Sequence, residues 1–112
     1  MSAIDARTEH AVRVFLERIS RRYVVTGARL YGSRARAMHR SDSDADLAVF
    51  LRGPQGRALA VAFDMAGTAF DVMLETEILV SPLPLWQEEW EHPETYSNPA
   101  LLEAIRRDGV DL

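Results

Sequence analysis

The sequence predicts an α/β domain in which a small mixed β-sheet is flanked by helices. Helical and strand-like segments alternate along the chain in the order α-β-α-β-α-β-α-α, which is typical of a sheet covered by helices. The length of 112 residues, with 47% hydrophobic and 27% charged residues, is that of one ordinary globular domain. Residues 1–112 are therefore expected to form a single domain.

The first half of the chain is predicted to hold two helices and two strands. Apolar residues recur at helical spacing over 4–22, which predicts an amphipathic helix. Strands are predicted over 24–31 and 44–51 because both segments are apolar and bounded by turn residues. A short helix is predicted over 34–38, with Ser33 as its N-cap.

The second half is predicted to add three helices and one strand. A helix is expected over 55–66, ended by Gly67. The apolar and β-branched segment 70–80 favours a strand. The prolines within 81–84 are expected to interrupt regular structure. The last two predicted helices span 85–91 and 99–107.

All 13 cationic side chains are arginines, and the chain has neither lysine nor cysteine. A Schiff-base lysine and a P-loop lysine are therefore excluded. A disulfide frame, a thiol nucleophile and cysteine-ligated metals are excluded as well. Anions bound by this protein must be held by arginine, backbone N–H groups or metal ions.

The net charge of −4 argues against a general nucleic-acid binder, whose footprint is a basic face. No direct nucleic-acid binding is expected. The apolar runs are far shorter than the ~20 residues that a membrane helix needs. No signal-peptide pattern opens the chain. These features predict a cytoplasmic protein without a membrane anchor.

Three carboxylates stand out as candidate metal ligands. Asp44 and Asp46 are two residues apart on a predicted strand, so both point to one face, and hard oxygen ligands in this arrangement suit Mg²⁺. Asp71 lies between the apolar residues Phe70 and Val72, where an unpartnered acid is costly to bury. Placing Asp71 on a strand beside the pair predicts a three-carboxylate metal site.

A candidate phosphate-binding turn precedes the acidic pair. Gly32 allows a phosphate to approach the backbone, and a helix beginning at Ser33 supplies N–H donors in addition to the serine hydroxyl. Arg34 directly follows Ser33 and is predicted to contact a triphosphate, for which its planar guanidinium is suited. A phosphate-binding turn and a metal-binding pair together indicate metal-assisted phosphoryl or nucleotidyl transfer.

The spacing of these residues resembles a family motif. Gly32-Ser33, ten further residues and then Asp44-x-Asp46 resemble the Gly-Ser-x10-Asp-x-Asp motif of the DNA-polymerase-β-like nucleotidyltransferase superfamily. The run over 30–36 is most similar to its smallest members, the minimal nucleotidyltransferase domains. The resemblance implies the polymerase-β-like nucleotidyltransferase fold.

The resemblance also implies a role for each motif residue. Gly32 and Ser33 would hold the β- and γ-phosphates of ATP, the implied substrate. Asp44 and Asp46 would bind two Mg²⁺ ions. Asp71 would share one of these ions and accept the proton of the attacking hydroxyl.

The partner implied by the resemblance is a small helical toxin. Minimal nucleotidyltransferases are often antitoxins that transfer AMP from ATP to a tyrosine of a HEPN ribonuclease, so a hetero-oligomer with such a toxin is consistent with the sequence. One departure concerns the turn, because many relatives have glycine where this chain has Ala37.

Two other functions remain open from the sequence. The same fold could neutralise its partner by stoichiometric binding without catalysis. It could also be a small-molecule nucleotidyltransferase resembling the aminoglycoside-modifying enzymes, which would need a homodimer to build the acceptor pocket. Trp86 and Trp90 are spaced to share one helix face, and that face either closes the core or anchors a partner.

Overall fold

A four-stranded mixed sheet organises the chain in the computed structural model, which describes residues 4–36, 40, 42–53 and 56–112. The α/β class predicted from the sequence is confirmed. The elements in chain order are α1 (Ala6–Ile19), β1 (Val25–Tyr31), β2 (Ala45–Leu51), α2 (Ala58–Thr76), β3 (Val80–Trp86), α3 (Gln87–Glu91), a 3-10 turn (Pro93–Thr95), α4 (Pro99–Asp108) and β4 (Val110–Asp111).

The strand order is β3-β2-β1-β4. β1 runs antiparallel to both β2 and β4, whereas β2 and β3 are parallel. Asp46 of β2 is paired with Tyr31 of β1 on one side and with Ser81 of β3 on the other. Because paired residues point to the same face of a sheet, these three side chains share one face.

The two faces of the sheet are covered by different helices. Leu47 and Val49 of β2 belong to a buried cluster that includes residues of α1 and α2. Ala48 belongs to a second cluster with Leu102 and Ile105 of α4. Side chains alternate along a strand, so Asp46 lies on the α4 face, away from α1 and α2.

α1 forms where the sequence predicts a helix, although it is shorter than the segment 4–22. Asp5 caps its first turn by accepting a 2.8 Å hydrogen bond from the Thr8 N–H. Ala11, Val12, Phe15 and Ile19 are fully buried at the i, i+4 spacing that the pattern indicates.

The predictions over residues 55–80 are wrong in part. α2 continues through Gly67 to Thr76, so Gly67 does not end the helix and residues 70–76 are helical. The buried positions Met65, Ala69 and Val72 have helical spacing and pack on the sheet. The helix ends at Thr76, and its C-cap residue Glu77 has a left-handed φ of 63°. Gln55 and Pro54 lie outside the described residues.

The third strand therefore begins later than predicted and includes the prolines that were expected to interrupt the chain. β3 contains Pro82 and Pro84, and it is an edge strand of the sheet. Proline is tolerated on an edge strand because its missing N–H faces away from the neighbouring strand. Leu85 lies within β3 instead of opening a helix, and the helix that follows is restricted to Gln87–Glu91.

The two tryptophans do not share a helix face. Trp86 is the last residue of β3 and is 4% exposed. Trp90 of α3 packs against Phe50 with a ring-centroid distance of 4.9 Å, and the Arg106 guanidinium lies 4.0 Å from the Trp90 ring centroid. Both side chains thus contribute to internal packing.

Candidate active site

The end of β1 and the beginning of β2 meet at one edge of the sheet. Tyr31, the last residue of β1, is paired with Asp46. Asp44 is exposed one residue before β2, whereas Asp46 is half-buried. The turn that begins at Gly32 follows Tyr31 directly. The structure therefore brings the Asp44 and Asp46 pair next to the glycine turn.

Gly32 is required by the position of Asp46. Its φ is +75°, a conformation that side-chain-bearing residues rarely adopt, and a Cβ at this position would overlap Oδ2 of Asp46. The glycine thus allows the carboxylate of Asp46 to lie directly against the backbone of the turn. A phosphate approaching this backbone would lie beside the same carboxylate.

The electrostatics of Asp46 favour a bound cation. Burial raises the pKa of the Asp46 carboxyl, and the negative charge of Asp44 raises it further. Both effects disfavour the ionised form of Asp46 in the absence of a counter-charge. A divalent cation between the two carboxylates would remove the repulsion, and the oxygen donors of Asp44 and Asp46 suit Mg²⁺.

Tyr31 lies beside Asp46 on the neighbouring strand. Burial raises the pKa of the Tyr31 phenol to about 12, with smaller contributions from the charge of Asp46 and from Tyr96. The phenol therefore stays neutral over the working pH range. It packs at the border of the cluster under α4.

The Arg34 side chain is buried, and it binds the backbone next to the candidate site instead of lining the site. Its side chain is 3% exposed. Its Nε donates to the Ser43 carbonyl oxygen at 2.8 Å, and its Nη1 donates to the Thr8 hydroxyl at 2.8 Å. Thr8 in turn donates to Asp5, the N-cap of α1. The prediction that Arg34 contacts the triphosphate is not supported, because its guanidinium is buried and engaged.

The Arg34 contacts give that residue a positioning role. By binding the carbonyl of Ser43, Arg34 fixes the backbone immediately before Asp44 relative to the glycine turn. The Ser43 hydroxyl accepts a 3.0 Å hydrogen bond from the Arg40 N–H, which closes the turn that leads into β2. No pattern in the sequence indicates this long-range contact.

The helix predicted over 34–38 appears only as a turn within the described residues. The Arg36 N–H donates to the Gly32 carbonyl oxygen at 3.3 Å, and residues 33–36 are assigned as turn. Ala37, Met38 and His39 lie outside the described residues. Ser33 is half-buried on this turn, while the Arg36 side chain is exposed.

Asp71 is not brought to the acidic pair. It is exposed on α2, which covers the opposite face of the sheet. The pKa of Arg18 on α1 is raised mainly by its hydrogen bond to Glu75 and to a smaller extent by the charge of Asp71. The predicted placement of Asp71 on a strand beside the acidic pair is therefore wrong, and its proposed roles as metal ligand and proton acceptor depended on that placement.

Ser81 occupies the place that the third carboxylate was expected to fill. It pairs with Asp46 in the parallel register of β2 and β3, and the Ala45 N–H extends this pairing by donating to the Leu79 carbonyl at 2.9 Å. Strand β3 contains no acidic residue. Within the described ranges, no three His, Cys, Asp or Glu side chains form a metal-binding group. Among the residues that the structure describes, the candidate site thus brings together two carboxylates.

A cleft of about 320 Å³ lies between the start of α2 and the edge strand β3. Leu83, two residues beyond Ser81, lies on the same face of the sheet as Asp46. The lining is largely apolar, which suits a planar or aromatic group. It consists of Ala58, Leu59, Ala62, Leu83, Pro84, Glu89 and Tyr96.

The fold and the site define an α/β domain whose carboxylate pair faces a glycine turn, an arrangement suited to metal-assisted chemistry on phosphates. A family model described as nucleotidyltransferase domain matches residues 12–103, and the chain belongs to this family. Its general activity is nucleotidyl transfer, for which the family typically uses a nucleoside triphosphate and a divalent metal ion. The predicted polymerase-β-like class is confirmed.

The comparison with curated proteins finds no match to this chain. The minimal nucleotidyltransferase subgroup and the antitoxin role therefore stay predictions. No helix among the residues that the structure describes is long and apolar enough to cross a membrane.

Proposed function

We propose that the protein is a Mg²⁺-dependent nucleotidyltransferase that transfers AMP from ATP to a tyrosine hydroxyl of a helical HEPN-type toxin. The observation that carries this proposal is the contact between the Gly32 turn and the Asp46 carboxylate, because it joins a phosphate-binding backbone to a cation-binding pair. The family supports nucleotidyl transfer. The nucleotide and the acceptor are inferred from the motif resemblance.

The roles proposed for the residues rest on the motif resemblance and are consistent with their positions. The backbone N–H groups and the Ser33 hydroxyl on the turn would hold the β- and γ-phosphates. When bound, Mg²⁺ would be held by Asp44 and Asp46 and would neutralise charge on the triphosphate. Arg36 is exposed on the same turn and replaces Arg34 as the arginine proposed to contact phosphate.

The transfer step is a displacement at the α-phosphorus. The acceptor oxygen forms a bond to the α-phosphorus, and the bond between the α-phosphorus and the oxygen bridging to the β-phosphorus breaks. Pyrophosphate leaves with the electron pair. The phenol proton passes to water, because Asp71 lies on α2, which covers the opposite face of the sheet.

A second candidate function is neutralisation of the partner by binding alone. Ser81 favours it, because a hydroxyl beside Asp46 binds a divalent cation more weakly than a carboxylate would. In that case the fold would serve as a capture surface, and the two carboxylates would have no part in neutralisation.

Intact-mass analysis distinguishes the two functions. The protein is incubated with a HEPN-type partner, Mg²⁺ and each nucleoside triphosphate in turn. The proposal predicts an increase in the partner's mass by one or more AMP units with ATP, and no increase with EDTA. No mass increase with any nucleotide would overturn the transferase proposal for this partner.

Two double variants of equal charge sharpen the test. Asp44→Asn with Asp46→Asn is expected to abolish the mass increase and the neutralisation of the partner. Asp42→Asn with Asp71→Asn removes the same charge from exposed positions outside the pair and should retain both. Full neutralisation by the first variant at equal concentration would instead favour binding alone.

A further inference from the structure

Helix α2 presents an apolar stripe on the side that faces away from the sheet. Four large side chains on this stripe are more than half exposed: Leu59 is 72%, Phe63 71%, Phe70 53% and Leu74 66% exposed. At 3.6 residues per turn they fall within an arc of about 100°, together with the exposed small residues Ala66 and Gly67. We refer to these six residues as the α2 stripe. It carries no charged residue.

The α2 stripe has a palindromic sequence. Leu59 and Leu74 are equidistant from the point between Ala66 and Gly67, and so are Phe63 and Phe70. A two-fold axis at this point would bring Leu59 of one copy against Leu74 of the other, and Phe63 against Phe70. Such a self-complementary arrangement, in which residue i contacts residue j and j contacts i, is the signature of a two-fold interface.

The centre of the α2 stripe consists of small residues, which would let two helices approach each other closely. Gly67 lies in the middle of α2, where glycine is unfavourable for the helix. A Cβ at this position would meet no atom within 4 Å, so nothing inside the described fold requires glycine there. Small residues at a helix crossing shorten the distance between the two axes. Ala66 and Gly67 stand where two copies would cross.

The exposed area is sufficient for a modest interface. The four large side chains expose on the order of 500 Å² of apolar surface, at the upper end of what monomers tolerate. Two copies would bury roughly 1,000 Å² from these residues alone, which reaches the lower bound for a specific interface. The palindromic spacing favours a second copy of this chain as the occupant, because a different protein could bind the α2 stripe without it.

We propose that the protein forms a homodimer in which the α2 stripes of two copies pack antiparallel about a two-fold axis between Ala66 and Gly67. Asp46 lies on the opposite face of the sheet, so the two candidate active sites face away from the interface. This dimer therefore differs from one that builds an acceptor pocket, and it leaves both sites open to a protein acceptor.

The first test is the oligomeric state of the full chain. Sedimentation equilibrium over about 1–500 µM should show a monomer–dimer equilibrium, as expected for an interface of this size. Phe63→Glu should weaken the association by at least about 10-fold, because the side chain lies at the interface. Val24→Glu changes a similarly exposed side chain, 61% exposed and outside the stripe, and should associate like the wild type.

The centre of the stripe gives an independent variant. Gly67→Leu should weaken association by at least about 10-fold because its side chain separates the helices. It should not lower the melting temperature of the monomer, since the site is open in the single chain. Circular dichroism on dilute samples checks that Phe63→Glu and Gly67→Leu remain folded.

Disulfide cross-linking tests the antiparallel register. Because the sequence has no cysteine, only the introduced cysteines can form a disulfide. Leu59→Cys and Leu74→Cys should form a disulfide-linked dimer when the two variants are mixed. Each variant alone should not, because like positions would lie about 22 Å apart along the helix axis.

Three results would overturn the dimer proposal. One is a wild-type chain that stays monomeric over the whole concentration range. This is also the result expected if a different protein covers the α2 stripe. Another is a dimer that Phe63→Glu and Gly67→Leu leave intact. The third is efficient cross-linking of either single-cysteine variant with itself. None of these results bears on nucleotidyl transfer, which Phe63→Glu should retain.

Discussion

Oδ2 of Asp46 occupies the space that a side chain on Gly32 would fill. The two residues lie on neighbouring strand ends, and the positive φ of Gly32 lets the backbone pass directly beside the carboxylate. The phosphate-binding turn and the proposed metal ligand are thus one structural unit. A change in either residue should affect both functions.

Gly32→Ala should therefore damage stability and activity together. We expect a loss of roughly 1–3 kcal/mol in the free energy of unfolding, because alanine is strained at this φ. We also expect nucleotidyl transfer to fall at least about 100-fold, since the displaced Asp46 no longer holds the metal position. Urea denaturation and a pyrophosphate-release assay measure the two effects.

Gly27→Ala is the matched control for that substitution. Gly27 lies on β1, the strand that precedes Gly32, and a Cβ there would make an ordinary 3.7 Å contact with Phe50. The change should leave activity intact and raise stability by up to about 1 kcal/mol. Equal behaviour of the two alanine variants would show that Asp46 does not depend on Gly32.

Arg34→Met should destabilise the fold, because it leaves the Ser43 carbonyl and the Thr8 hydroxyl without their donor. A loss of about 2–4 kcal/mol is expected for two buried hydrogen bonds to a charged group. Arg36→Met changes an exposed side chain on the same turn and should lower stability by less than about 0.5 kcal/mol. If Arg34 instead bound the triphosphate, its variant would raise the KM for nucleotide with unchanged stability.

Ser81→Asp should place a third carboxylate beside Asp46. We expect Mg²⁺ to bind at least about 10-fold more tightly, because affinity rises with the number of charged ligands. The metal-free variant should be less stable than the wild type, since like charges across neighbouring strands repel. Calorimetric titration measures the binding, and Ser81→Asn separates charge from shape. Equal affinity of the Asp and Asn variants would mean that position 81 does not face the site.

The stability of the metal-free protein should depend on pH through Asp46. Its pKa is raised in the folded state by burial and by Asp44. The folded state therefore binds the Asp46 proton more tightly than the unfolded chain does. The stability that this proton binding contributes is lost as pH rises through the folded-state pKa. In EDTA, Asp46→Asn should gain stability relative to the wild type as pH rises from about 4 to 7. A constant difference across this range would contradict the assignment.

The α/β class and the acidic pair were predictable because their signals are local. Asp44 and Asp46 are two residues apart at the start of a segment that reads as a strand, and the turn at Gly32 directly follows the first strand. The secondary structure of residues 67–80, in contrast, depends on contacts that are distant in sequence. An apolar segment such as 70–76 fits either a helix or a strand, and only its packing on the sheet decides between them.

Two further features required the tertiary structure. Pro82 and Pro84 are compatible with β3 only because that strand lies at the edge of the sheet, which the sequence does not state. Arg34 appeared suited to phosphate because it follows Ser33, yet it binds Ser43 and Thr8, distant in sequence. Asp71 was misplaced with the strand that was expected to carry it.

Mg²⁺-dependent binding of a non-hydrolysable ATP analogue tests the two-carboxylate site most directly. Calorimetry would compare the wild type with two variants of equal charge, Asp46→Asn and Asp71→Asn. We predict that Asp71→Asn binds like the wild type and that Asp46→Asn binds at least about 100-fold more weakly. Binding that survives in Asp46→Asn, or is lost in Asp71→Asn, would contradict the site described for this protein.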